Sequence, residues 1–156
     1  PINVDALFGL VIIYQLKGDF KLALVRINEL KKLYPDFPGI QNHYGTILFE
    51  LGHFIEAQEV FVKLLELNQD YINAARNLVR TMIKLNDFEN AVALSVELLN
   101  KNPDDEDSLM LMAELNAEAG RLADAQNFLK KITEINPKNL QAVQYLRDID
   151  TASTSV

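Results

Sequence analysis

The sequence predicts an all-α solenoid built from antiparallel helix pairs, and three observations carry that prediction. A six-residue phrase returns on a fixed beat, as GDFKLA at 18–23, GHFIEA at 52–57, NDFENA at 86–91 and GRLADA at 120–125, each 34 residues after the last. Apolar residues recur at helical spacing on both sides of every copy. A proline closes three of the four units, at Pro35, Pro103 and Pro137, with Gln69 at the fourth place.

With Gly18, Gly52, Asn86 and Gly120 as fixed points, the units run 4–37, 38–71, 72–105 and 106–139. Gly enters the left-handed backbone region without a Cβ penalty and Asn is the next best residue there, so a first helix stops at each fixed point. Phe20, Phe54, Phe88 and Leu122 then open a second helix. Ala23, Ala57, Ala91 and Ala125 follow, small enough for two helix backbones to approach closely. Leu30, Leu64, Leu98 and Ile132 continue the apolar face toward the proline, which lacks an N–H and restricts the residue before it.

The first helix of unit one holds LFGLVIIY at 7–14, too short to span a bilayer and without the basic n-region of a signal peptide. In unit three, Leu78, Val79 and Met82 stand before the turn and Phe88, Ala91, Leu94 and Leu98 after it. At the junction of units three and four, Asp104, Asp105, Glu106 and Asp107 precede Ser108 and favour a helix N-terminus through the macrodipole. A closing helix is expected at 140–150, and the polar tail TASTSV at 151–156 is expected to be disordered. No unit can bury its apolar face alone, so stacked neighbours complete the core.

Composition narrows the function classes. The 156 residues carry a net charge of −7, whereas a nucleic-acid role needs a basic face. No cysteine is present, which removes disulfides, cysteine zinc sites and a cysteine nucleophile. His43 and His53 are the only histidines. Phosphate-loop, dinucleotide, HExxH and GxSxG motifs are all missing. The acidic run NPDDEDS at 102–108 lacks the glycine and distal glutamate of a calcium loop. The expectation is a protein with no catalytic residues, no metal and no cofactor. The chain opens on Pro1, and is read as an excised piece of a longer protein. Its compartment stays open between cytoplasm and periplasm.

A 34-residue helix-turn-helix with Gly at the turn, an aromatic opening the second helix, a fixed Ala and a closing Pro resembles the tetratricopeptide repeat, in four uninterrupted copies. The family's early aromatic falls on Leu7, Gln41, Ala75 and Leu109 here, and its small residue on Val11, Gly45, Val79 and Ala113. Pentatricopeptide repeats keep a period of 35 and bind RNA through basic surfaces, and armadillo and HEAT units are longer. The resemblance implies a right-handed superhelix whose first helices line a concave groove that grips a protein or peptide segment. It also implies which residues face that groove.

Among those, Arg76, Arg80 and Lys84 share one helix face and suit a carboxylate or phosphate, unless they pair with Glu114 and Glu118 instead. Asn42, Asn73 and Asn77 can hydrogen-bond a peptide backbone, with His43 beside them. Phe8, Ile12 and Leu16 form an apolar stripe on the first helix. We ascribe it to a preceding repeat outside this chain or to self-association of two copies, ahead of a ligand pocket. Family members that clamp a chaperone's C-terminal carboxylate use Lys, Asn and Arg. The matching places here hold Phe8, Ile12, His43, Asn73 and Asn77 in one frame, and Asn42, Thr46, Asn77, Asp107 and Leu111 in the other. Neither supplies the cations, so that role is not expected. The leading expectation is a groove scaffold for an acidic partner segment. The alternatives are an oligomerising module of a secretion, pilus or envelope assembly, or the regulatory arm of an enzyme.

Overall fold

A computed structural model describes residues 3–154 of the chain, with side chains through Thr151. Among these residues every regular element is an α-helix: α1 (Val4–Leu16), α2 (Phe20–Leu33), α3 (Pro38–Glu50), α4 (Phe54–Leu67), α5 (Ile72–Lys84), α6 (Phe88–Lys101), α7 (Glu106–Glu118), α8 (Leu122–Ile135) and α9 (Leu140–Thr154). Helices break where the repeat places its turns. Gly18, Gly52 and Gly120 take φ of 75°, 82° and 74°, and Asn86 takes 61°. At the three glycines the following N–H reaches back to close the helix end, from Asp19 to Tyr14 O, His53 to Leu48 O and Arg121 to Asn116 O.

Second helices end alike. Tyr34, Asn68, Asn102 and Asn136 leave helical geometry, while each N–H still bonds the carbonyl four residues back. First helices start on side-chain caps at three sites. Asn3 Oδ1 accepts from Ala6 N, Asp105 Oδ2 from Ser108 N and Asn139 Oδ1 from Ala142 N. Pro38 opens α3, where its missing N–H leaves nothing unpaired.

The chain divides into two compact units, one ending at Leu85 and one beginning at Asn86. In the first, Leu7, Val11, Ala23, Ile27, Leu30, Ile40 and Ile47 form a single cluster across α1, α2 and α3. In the second, Leu109, Met110, Ala113, Ala125, Leu129, Ile132, Ala142 and Ile149 join α7, α8 and α9. The four refrain alanines are fully buried, as are Leu30 and Ile132, with Leu64 and Leu98 nearly so. The second repeat is closely packed at its small position, where a Cβ on Gly45 would lie 2.6 Å from the Phe61 ring. A larger residue on α3 would therefore displace α4.

One expectation needs correction. The tail was expected to be disordered from residue 151, but α9 continues through Thr154. No proline or glycine interrupts it, and the Thr151 hydroxyl donates to Asp148 O inside the last turns. Residues 155–156 lie outside the described residues.

Candidate functional site

The candidate site lies in the first compact unit, on faces of α3 and α5 and the adjoining face of α1. Residues on neighbouring first helices meet when their positions differ by about one repeat. Asn77 on α5 and Asn42 on α3 do so. Asn77 Nδ2 donates to Asn42 Oδ1 at 3.1 Å and to Thr46 Oγ1 at 3.3 Å. The Thr46 hydroxyl donates to Asn42 O at 2.9 Å, and the Thr81 hydroxyl to Asn77 O at 2.7 Å. Both asparagines are half-buried and held by neighbours on two helices. This leaves both amide N–H donors of Asn42 and the side-chain carbonyl oxygen of Asn77 beyond these bonds.

His43 is tied to α1. Its Nδ1 lies 2.7 Å from Gln15 Oε1, a pairing in which the ring nitrogen carries the proton. The Phe8 ring meets the imidazole edge-on, centroids 5.1 Å apart. Burial pushes the imidazole below its ordinary value of 6.5 by disfavouring the cation. His43 is therefore a neutral, packed residue linking α1 and α3.

The cationic stripe follows the expected spacing along α5. Arg76 is half-buried, with Nη1 donating to Asn73 Oδ1 at 3.4 Å, and Asn73, Arg80 and Lys84 are exposed. Arg80 and Asn77 border a small cleft of about 30 Å³ together with Thr46, Phe49, Glu50 and Phe61. Asn42, His43, Asn73, Arg76, Asn77, Arg80 and Lys84 thus fall on α3 and α5. Asn42 joins Asn77, and Asn73 joins Arg76. His43 instead faces α1. Sequence reasoning missed the bridging roles of Thr46, 31 residues from Asn77, and of Gln15, 28 residues from His43.

On the proposed apolar stripe, Phe8 packs into the core cluster and against His43, whereas Ile12 is 37% and Leu16 83% exposed. Two larger concavities flank α2. One, of about 390 Å³, lies between α2 and α4 and mixes Lys31, Asp36, Glu59 and Lys63. The other, of about 330 Å³, is almost wholly apolar and is bordered by Phe8, Tyr34 and Phe37. Lys31 also sits 3.1 Å over the Tyr44 ring, and burial, then the charge of Lys63, lowers its pKa.

The acidic run of the second unit is absorbed into packing. Asp104 meets Lys131 at 3.1 Å, and Asp105 caps α7. The Glu106 carboxylate accepts from Asn136 and from Asn139, the latter at 2.7 Å. Among the described residues no group of three metal-ligating side chains comes together, and no helix is long and apolar enough to cross a membrane.

Solved structures with the same fold include bacterial and human proteins. A thermophilic tetratricopeptide protein of Thermus thermophilus superposes with a TM-score of 0.85 at 21% identity, over 96% of this chain and 82% of its own. A fragment of MamA from Desulfovibrio magneticus gives 0.74 at 17%, over 97% and 85%. YrrB, described as having an unusual peptide-binding site, gives 0.72 at 17%, over 92% and 74%. No curated protein matches the chain in sequence. Family profiles described as tetratricopeptide repeat match residues 48–115 and 86–148, and another matches 5–36. With more than half of the sequence covered by that family's profile, the chain belongs to the tetratricopeptide repeat family.

Proposed function

We propose that the chain is a non-catalytic scaffold for protein–protein interaction, holding an extended or helical partner segment that carries acidic groups. The observation that supports this best is the pairing on α5 of a cationic stripe with a fixed asparagine amide. Arg76, Arg80 and Lys84 recur every helical turn in a chain whose net charge is −7. Asn77 stands on the same helix, bonded to Asn42 and Thr46. Guanidinium groups hold carboxylates in two-pronged geometry, and an oriented amide pair holds a peptide group without reading its side chain. The peptide-binding site in YrrB's description adds support from a protein of the same fold.

The test is a pull-down of cellular partners by the wild-type chain and by Arg80→Glu, Lys84→Glu, whose side chains are exposed and tolerate reversal. A partner retained by the first, released by the second and weakened by salt supports the reading. Equal retention, independent of salt, overturns it.

A second reading, that the chain oligomerises through its first helix, rests on the exposure of Ile12 and Leu16. Sedimentation of wild type and Leu16→Glu separates the two. A dimer split by that change favours assembly, and a monomer in both favours the free face of α5.

A further inference from the structure

The two compact units contain the same structural position, and they fill it differently. In the second unit, α8 meets the loop after α6 there, and the chain itself holds Lys131. Its ammonium lies 3.1 Å from the Asp104 carboxylate and donates to Pro103 O at 2.6 Å. Leu99 and Phe128 pack on the core cluster at this place, and Leu109 is buried. Two repeats earlier, Lys31, Pro35, Asp36, Gln41 and Lys63 take the places of Leu99, Pro103, Asp104, Leu109 and Lys131. Here Gln41 Nε2 donates to Pro35 O, the carbonyl whose counterpart binds the lysine in the second unit. Lys31 adds a second ammonium where the second unit has an aliphatic side chain.

These exchanges border the concavity of about 390 Å³ between α2 and α4, which is within the size range of small-ligand pockets. Val60, Leu64 and Leu67 supply an apolar wall, and both lysines line the same space. The Lys31 ammonium rests 3.1 Å over the Tyr44 ring, which favours its charged form. Burial, then the charge of Lys63, works against that form, so the two cations feel each other across the cavity. Asp36 and Glu59 also line it, and both are exposed. Yet among the described residues neither lysine meets a carboxylate within ion-pair distance. The second unit neutralises its cation internally, whereas the first presents two cations beside an apolar wall.

We propose that the concavity between α2 and α4 binds a small aliphatic carboxylate. Its oxyanion sits between Lys31 and Lys63, and its carbon chain lies along Val60, Leu64 and Leu67. A phosphate offers the same oxyanion chemistry, but inorganic phosphate has no carbon body to cover the apolar wall. Both lysines stand on second helices, apart from the cationic face of α5. Occupation of this site therefore does not depend on the groove reading.

The experiment titrates the whole chain, with carbon-13 in its lysines, with hexanoate, hexyl phosphate and inorganic phosphate, and follows binding by NMR. Saturable shifts with hexanoate are expected at Cε of Lys31 and Lys63 and at amides of α2 and α4. Inorganic phosphate should bind at least about fivefold more weakly, because it buries no methylene. Lys63→Gln, at an exposed position that tolerates the change, should weaken hexanoate by at least about fivefold. Lys31→Gln should do the same, added salt should weaken binding, and Lys32→Gln on the neighbouring exposed side chain should leave it unchanged. Melting of each variant at the wild-type temperature keeps a binding loss distinct from unfolding. Absence of saturable shifts, shifts centred outside α2 and α4, or indifference to both lysine variants overturns the proposal. Inorganic phosphate binding as tightly as hexanoate also overturns it, since the apolar wall would then take no part. Hexyl phosphate binding more tightly than hexanoate would overturn the carboxylate assignment in favour of an organic phosphate.

Discussion

Repeats two and four obey the same plan and spend their polar residues differently. In repeat two, the small position on the first helix is Gly45 and the facing residue on the second helix is Phe61. In repeat four, the same places hold Ala113 and Leu129. A larger ring is matched by a smaller partner, so the helix pair closes in both. The polar groups then diverge. Repeat two sets Asn42, His43 and Thr46 along α3, bonded to α5 and α1. Repeat four turns its polar groups inward or toward its own turns. Asn116 donates to Met112 O and accepts from Arg121, while Glu106 ties the start of α7 to Asn136 and Asn139. Within this repeat α7 buries eight residues. Polar groups bonded between first helices fix side-chain orientation from one repeat to the next, whereas those bonded to turns fix the packing.

The largest effect should test what the repeats share. Leu64 and Ile132 occupy the same position in repeats two and four, and replacing either with Ala should destabilise the protein by about 2–5 kcal/mol in urea unfolding. A loss below about 0.5 kcal/mol at both would mean that the two positions do not perform the same packing role.

Intermediate in size is the test of the volume exchange. Gly45→Ala should destabilise by about 1–3 kcal/mol, since the new Cβ meets the Phe61 ring and the gain in helix propensity offsets only part of the strain. Adding Phe61→Leu recreates the pairing of repeat four and should recover at least about 1 kcal/mol of coupling in a double-mutant cycle. Strict additivity would break the comparison.

The smallest effect concerns pH. His43 is held below 6.5 by burial, so the unfolded chain takes up a proton before the folded one does. Its contribution is therefore present above the unfolded value and is lost as pH falls below it. Denaturation midpoints of wild type should decline between neutral pH and mildly acidic pH more steeply than those of His43→Gln. Equal slopes would show that His43 is not the group responsible.

The period, the helix limits and the buried alanines were legible because each rests on a backbone constraint carried by a single residue. Left-handed glycines, prolines without a donor and small residues at close contacts announce themselves locally. The residues of the candidate site were legible as side-chain types on particular helices, but their bonds were not. Asn42, Thr46 and Asn77 meet only because two first helices lie side by side, and a hydrogen bond between residues one repeat apart leaves no local trace. The α1 surface shows the same limit. Phe8 reads as part of an exposed stripe yet packs on His43. The end of α9 escaped because TASTSV is polar, and polarity alone does not stop a helix that has neither proline nor glycine.

The left-handed turns at Gly18, Gly52, Asn86 and Gly120 fall at one invariant offset, and this bears on how such a chain can change length. An insertion or deletion of a whole repeat joins two junctions that are chemically alike, so caps, turn and close-contact alanine all fall back into place. A shift of one residue rotates every later side chain by about 100° around its helix until the next turn absorbs the error. Growth of this protein is thus confined to whole words, and the turn is the grammar that enforces it.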